Sequence, residues 1–150
     1  MSHIIAYQKH SDLYTTVTLR LPDPLGDEGE IYCTELATLD GVTYVSVPDG
    51  ATLPEQPPEL DPQPVVLTPE LKTALRAASP RCQLIAERMV QKIRARYSID
   101  DEMFFARIGV GAAAGMYQPT PGELAEMQAF GEFVEAVRQW GRAERARLGL

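Results

Sequence analysis

The densest group of chemically capable side chains in the sequence is the run Asp100, Asp101 and Glu102. Neighbouring carboxylates can bind a hard metal ion or take part in acid–base catalysis. A metal site needs further ligands, however, and both histidines lie in the other half of the chain. Ser98 precedes the run as a suitable N-cap, which places the acids in a first helical turn, where free amides and the helix dipole favour negative charge. Ser98 and Asp101 have the spacing of a weak capping box, so the sequence predicts that these acids begin a helix.

Other chemical motifs are equally weak. His3, His10 and Cys33 match no metal-ligand spacing. The stretch GVGAAAGM at 109–116 lacks the Gly-Lys-Ser/Thr ending of a phosphate loop and follows a predicted helix instead of a strand. Its small residues favour the close passage of another chain element. No nucleophile motif such as G-x-S-x-G is present. We therefore predict no catalytic, metal or cofactor-binding residues and no enzymatic activity.

Length and composition limit the class of protein. A chain of 150 residues can form one ordinary domain, or a small core with an appended helical part. The content of 45% hydrophobic and 23% charged residues is typical of globular proteins in water. No apolar run approaches the roughly 20 residues needed to cross a membrane, and the first residues do not resemble a signal peptide. We expect no membrane insertion, and we expect Cys33 and Cys82 to be reduced, buried thiols of a cytosolic protein.

The net charge of -7 is unevenly distributed along the chain. Residues 1–64 carry 11 acidic and 2 basic side chains, and the remainder carries 10 acidic and 12 basic ones. The acidic first half would repel phosphates, so we expect no binding to nucleic acid. The opposite charges of the halves allow attraction within one chain or between neighbouring copies.

The first half has the composition of β-strands. HIIAYQ, LYTTVTLRL and EIYCTELATLDGVTYVSV are rich in β-branched and aromatic residues. The third run contains Asp40-Gly41, a dipeptide that suits the positive φ angles of a tight hairpin turn. PDPLGDEG, between the second and third runs, reads as a turn-rich connection. We predict a small β domain over 1–47 with an antiparallel sheet of three or four strands.

A proline-rich segment follows at 48–67. It contains six prolines, at positions 48, 54, 57, 58, 62 and 64. Because proline fixes φ and lacks an amide donor, this segment can form neither a helix nor a central strand. We predict an extended, polyproline-like linker, and a peptide ligand for a domain that reads such segments is the alternative.

Residues 68–150 have helical periodicity. Thr68-Pro69, Ser79-Pro80 and Thr120-Pro121 each place a capping hydroxyl before a proline suited to the first helical position. Glu123 completes a Thr-x-x-Glu capping box at the last of these. We predict helices at 69–78, at 80–97, from 99 onward and at 121–147. The predicted fold is therefore α+β: an N-terminal antiparallel β-sheet, a proline-rich linker and a helical region of three to four helices.

The last helix carries the strongest packing signal. Its apolar residues repeat at alternating intervals of three and four, as in a coiled coil. Five of them form the seam and two aromatic residues widen it: Met127, Phe130, Val134, Val137 and Gly141, with Phe133 and Trp140. This surface predicts packing on the earlier helices or, alternatively, between subunits of a homo-oligomer.

The second predicted helix has a basic flank beside its apolar stripe. Four cations lie along it: Arg81, Arg88, Lys92 and Arg96. The last three stand four residues apart, so they share one side of the helix. Two interpretations stay open, a solvated flank or a surface for an acidic partner, which the chain's own first half could provide.

The segment IRARYSIDDE, together with FVEAVRQWGRAERARLGL further on, resembles the ends of small tail-associated proteins of tailed bacteriophages and prophages, in the group of tail-fibre and tail-tip accessory and assembly proteins. YVSVPDGATLPEQPPEL is similar to the same group. The resemblance covers most of the chain in general pattern, although the stretch at 109–116 departs from it. Its motifs are structural, so it supplies no active-site residue.

This resemblance implies a component of a phage tail or a helper in its assembly. The favoured expectation is a structural subunit of the virion at the distal tail or fibre attachment region. Such a subunit would bind other phage tail or fibre proteins and copies of itself, and it would reach the virion after assembly in the bacterial host cytoplasm. The alternative is a tail-fibre assembly chaperone that is not retained in the virion.

Overall fold

The computed structural model describes residues 1–22 and 33–150 and has the predicted α+β architecture. In this part of the chain, the elements are β1 Ser2–Gln8, β2 His10–Ser11, β3 Thr16–Val17, β4 Thr34–Leu39, β5 Val42–Pro48, β6 Gln63–Val65, α1 Pro69–Ala78, α2 Pro80–Arg94, α3 Ile99–Ala113 and α4 Pro121–Arg147. Apart from Pro22, the predicted turn-rich connection PDPLGDEG lies outside the described residues, as do the first three residues of the third strand-like run.

The chain divides into two compact units. The sheet unit comprises Met1–Leu84 and Ala143–Leu150, and the helical unit comprises Ile85–Arg142. Among the described residues, no helix is both long and apolar enough to span a membrane.

The main sheet has four antiparallel strands in the order β4-β5-β1-β6. β1 occupies an inner position and pairs with β5 along its whole length, from Ser2↔Pro48 to Gln8↔Val42. The predicted tight turn between β4 and β5 is confirmed, because Asp40 and Gly41 have φ angles of 50° and 81°. β2 and β3 form a separate small hairpin.

One face of the sheet holds an apolar cluster. Alternate residues of β1 and β5 point to this face because successive strand side chains lie on opposite sides. Two residues from outside the strands complete the buried cluster, which comprises Ile5, Tyr7, Val45, Val47, Leu19 and Leu60.

The proline-rich segment at 48–67 takes part in this core. Leu60 is only 6% exposed, and β6 adds an edge strand to β1, with Pro64 opposite Ile5. The side-chain amide of Gln56 accepts from Arg20 N–H at 2.8 Å and donates to Arg20 C=O at 2.9 Å. An edge strand tolerates proline because its outer side needs no donor. The segment is extended as predicted, but it packs against the sheet instead of crossing open solvent.

The helix boundaries largely follow the predicted ones. α1 and α4 have the predicted limits, whereas α2 ends at Arg94, three residues before the predicted end. The Tyr97 amide still donates to Ile93 C=O at 2.8 Å, which makes these three residues a closing turn.

Three of the predicted N-caps are confirmed and one is wrong. Thr68 Oγ1 accepts from Leu71 N–H, and Thr120 forms the predicted capping box with Glu123. The hydroxyl of Ser79, in contrast, is buried and has no hydrogen-bond partner in the part of the chain that the structure describes. Ser79 is already the C-cap of α1, where its amide donates to Leu75 C=O at 2.9 Å, and this role fixes its backbone. The third confirmed cap, Ser98, is described below.

The last residues belong to the sheet unit. Leu148 and Leu150 are each 3% exposed. Ser2 Oγ donates a hydrogen bond to Arg147 C=O at 2.6 Å. Gly149 has a φ of 80° and lies so close to β1 that an added Cβ would be 3.1 Å from Ser2 C=O.

Candidate interaction site

The predicted α4 seam packs within the helical unit, on the end of α2 and on α3. Tyr97 lies at the centre of this contact. Its ring meets Phe130 edge-on at 5.0 Å between centroids and approaches Phe133 at 5.7 Å. Phe130 also contacts Phe105 of α3 at 5.2 Å. These contacts support the first interpretation of the seam, packing on the earlier helices of the same chain.

Glycines allow α4 to approach its neighbours closely. A Cβ added at Gly109 of α3 would lie 3.3 Å from Met127 Cε, and one added at Gly141 would overlap the thioether of Met89. Val137, one turn before Gly141, is 5% exposed. The other predicted seam residues, Met127, Phe130, Phe133, Val134 and Trp140, are half-buried.

Two cations of the predicted basic flank cover aromatic rings of the seam. Lys92 Nζ lies 4.8 Å from the centre of the Trp140 ring, and Arg96 Cζ lies 4.8 Å from that of Phe133. Such contacts contribute roughly 0.5–1 kcal/mol each at exposed sites. Arg88 and Arg81 are exposed, and Arg81 belongs to the sheet unit. Part of the flank therefore stabilises helix packing, and an acidic partner stays a prediction.

The three acids begin α3, as predicted. Asp101 accepts hydrogen bonds from Ser98 N–H at 2.7 Å and Ser98 Oγ–H at 2.8 Å, and its own amide donates to Ser98 Oγ at 3.0 Å. The hydrogen bonds from Ser98 hold the pKa of Asp101 below its ordinary value. Glu102 forms an ion pair with Arg94 at 2.6 Å. Within the described ranges, no group of three or more His, Cys, Asp or Glu side chains is placed to hold a metal ion.

An additional apolar surface lies on the outer side of α3. Ile99, Met103 and Val110 are 60%, 66% and 66% exposed, while Phe105 and Ile108 on the other side of the helix are buried. A helix that is apolar on both sides is typical of one that is covered on both sides. The sequence carried this signal in the order of apolar residues after Ser98, but the capping pattern alone did not show which of the two sides faces inward.

A groove adjoins this surface. It has a volume of about 420 Å³ and is lined by Phe104, Arg107, Ile108, Gly111, Met116 and Tyr117. Met116 is 80% exposed. The Tyr117 hydroxyl donates to Glu123 at 2.9 Å, which fixes the segment between α3 and α4 and raises the pKa of Tyr117 above its ordinary value. Phe104, Met116 and Tyr117 of the groove are exposed apolar residues, like those of the outer side of α3.

Comparison with protein-family models, with curated proteins and with solved structures found no match for this chain.

Proposed function

We propose that this chain is a non-enzymatic interaction protein of a bacteriophage tail. In this role it is a structural subunit at the distal tail or fibre attachment region, where it self-associates and docks neighbouring tail proteins. The observation that carries the interaction role is the exposure of Ile99, Met103 and Val110 along one side of α3. Contiguous exposed apolar surface in a folded domain is typical of a protein–protein contact.

The packing of the helical unit supports a permanent contact. The aromatic cluster around Tyr97 and the capping box of Ser98 hold α3 in place from its inner side. A helix fixed in this way presents its outer residues with little loss of conformational freedom on binding. The assignment to a phage tail rests on the resemblance of IRARYSIDDE and FVEAVRQWGRAERARLGL to tail-associated proteins. The first of these segments runs from the end of α2 into α3, and the second includes the latter half of α4.

The second candidate function is an assembly chaperone for the tail fibre. Exposed methionines favour it, because flexible thioether side chains adapt to different apolar surfaces. Met103 and Met116 are 66% and 80% exposed on or beside α3. A chaperone would use the same surface transiently and leave before the virion is complete.

Quantitative mass spectrometry of purified particles tests this proposal. A fixed number of copies per tail supports the structural subunit. Absence from particles, with recovery in complexes of unassembled fibre proteins, supports the chaperone instead. Recovery in neither fraction would refute both.

A matched pair of variants links the result to α3. Met103→Glu should abolish incorporation or complex formation, whereas Leu124→Glu, at a 52% exposed residue of α4, should not.

A further inference from the structure

We propose that the outer side of α3 is a self-association surface, on which α3 of a second copy lies antiparallel. This inference deepens the proposed function, because it names the surface and the partner through which the subunit would self-associate. The exposed apolar residues follow the intervals 4-3-4-3 of a coiled-coil seam: Ile99, Met103, Ala106, Val110 and Ala113. All five are exposed in the single chain.

One antiparallel register places a large residue opposite a small one and two β-branched residues opposite each other. With Met103 opposite Ala106 of the second copy, Ile99 falls opposite Val110. The two-fold axis repeats both layers, so four consecutive layers are filled. The small side chain of Ala106 in the two central layers leaves room for Met103 of the other copy, so large and small residues alternate there.

Charge complementarity selects a second copy as the occupant. Asp100 and Arg107 lie seven residues apart on one flank of the seam. Neither forms an ion pair or a side-chain hydrogen bond within the described residues. In an antiparallel pair related by a two-fold axis, equivalent flanks face each other. Asp100 of each copy then lies near Arg107 of the other, so the contact contains two equivalent ion pairs.

The axial offset in these ion pairs is within the reach of arginine. In the proposed register the two residues are displaced by two positions, or about 3 Å along the helix axis. Arginine reaches further than this elsewhere in the chain, because Arg142 contacts Glu135, seven residues away on α4, at 3.0 Å.

The other flank of the seam excludes a parallel pair. Glu102 on that flank is engaged by Arg94, and Gly109 lies against Met127. A parallel pair would need this flank to meet the Asp100 and Arg107 flank of its partner. Because Glu102 is already paired with Arg94 and Gly109 has no side chain, only the antiparallel arrangement brings unpaired opposite charges together.

Sedimentation velocity of the full chain from low to high micromolar concentration tests the inference. A single helix pair is a small interface and should associate weakly, so the parent should change from monomer to dimer within this concentration range. Met103→Glu and Val110→Lys should each weaken the dimer by roughly tenfold or more. Leu124→Glu, the control with similar exposure, should leave the dimer unchanged. Circular dichroism of each variant checks that its helices are retained.

A charge exchange tests the register specifically. Asp100→Arg alone creates two Arg–Arg contacts per dimer, and Arg107→Asp alone creates two Asp–Asp contacts, so each variant should dissociate. An equimolar mixture of the two variants contains only opposite-charge contacts and should form a heterodimer as stable as the parent dimer.

Any of three results would overturn the inference. They are a monomeric parent, a dimer insensitive to Met103→Glu and Val110→Lys, and a mixture of Asp100→Arg and Arg107→Asp that associates no better than either variant alone. A monomeric parent that binds a tail protein through α3 would assign the surface to a different partner and would also overturn it. These results are independent of the particle test, since a dimer found in no particle or fibre complex refutes the proposed function and leaves the dimer intact.

Discussion

Replacement of Phe130 by alanine should destabilise the helical unit more than any change on its outer surface. Phe130 is half-buried and contacts two other aromatic rings, Tyr97 at 5.0 Å and Phe105 at 5.2 Å. Phe130 projects from α4 onto α3 and the end of α2, so its truncation removes contacts to both segments. The expected effect is therefore a loss of helix packing that leaves each helix cap unchanged.

The magnitude follows from burial and ring contacts. Truncation of a fully buried phenylalanine to alanine costs about 3–5 kcal/mol. Phe130 retains some exposure, which lowers this figure, while each aromatic pair adds roughly 0.5–1.5 kcal/mol beyond burial. We expect a decrease of about 2–4 kcal/mol in the free energy of unfolding of the helical unit.

Trp140 provides a direct readout of this unit, because it is the only tryptophan in the chain. Urea unfolding followed by Trp140 fluorescence should show a lower midpoint and an unchanged slope for Phe130→Ala. The matched control is Leu124→Ala, a 52% exposed residue on the same helix, which should change stability by about 0.5 kcal/mol or less. Submicromolar protein keeps weak association through α3 from contributing to the midpoint.

The result that refutes this reasoning is an equal effect of the two substitutions. If Phe130→Ala costs no more than Leu124→Ala, the seam of α4 is not packed on α2 and α3 in the isolated chain. The alternative interpretation, a seam between subunits, would then gain support. A larger effect of Phe130→Ala that persists at high dilution would instead establish packing within one chain.

Four further predictions concern the sheet unit, its hairpin and the start of α3. Leu60→Ala should lower the free energy of unfolding by about 2–5 kcal/mol because Leu60 is a core residue, whereas Val66→Ala, at a 91% exposed position, should leave it unchanged. Denaturation followed by circular dichroism measures both. If neither substitution changes stability, the proline-rich segment is a linker that does not contribute to the core. Ser98→Ala should cost about 1 kcal/mol through loss of the cap, measured by urea unfolding. The pKa of Asp101 is lowered from its ordinary value of 3.8, so the ionised carboxylate stabilises the fold at pH values above 3.8, and this stability is lost as the pH falls through the folded pKa. Asp101→Asn should therefore flatten the acid limb of the profile of stability against pH. An unchanged acid limb would contradict the assignment. Gly41→Ala should cost roughly 1–2 kcal/mol, because the φ of 81° is unfavourable for any residue with a Cβ, and a neutral melting temperature would show that the turn relaxes.

Local chemistry made the helix starts and the hairpin predictable. The pairs Thr68-Pro69 and Thr120-Pro121 specify a cap and a first turn without reference to the rest of the chain, and both were confirmed. Asp40-Gly41 specifies its turn in the same way. Ser79 had the same local pattern, but its backbone already closes α1, and a buried environment leaves its hydroxyl without a partner among the described residues.

Features that depend on distant partners were not predictable. Leu60 is buried because β1 and Leu19 provide a surface for it, and proline content alone reports only that the segment is extended. The outer side of α3 has the same kind of residues as the inner side, so periodicity could not distinguish them. Tertiary contacts, such as those of the Phe105 ring, show which side faces the unit.

The hydrogen bond between Ser2 and Arg147 joins residues 145 positions apart in the same unit. β1 is an inner strand of the sheet, so its residues wait for partners that are translated much later before the unit is complete. At roughly 5–20 residues per second, this interval is on the order of 10 s on the ribosome. During that time the apolar residues of β1 lack part of their final cover. Nascent chains of this protein should therefore be substrates for chaperones that bind near the ribosomal exit tunnel, long before any contact with a mature partner.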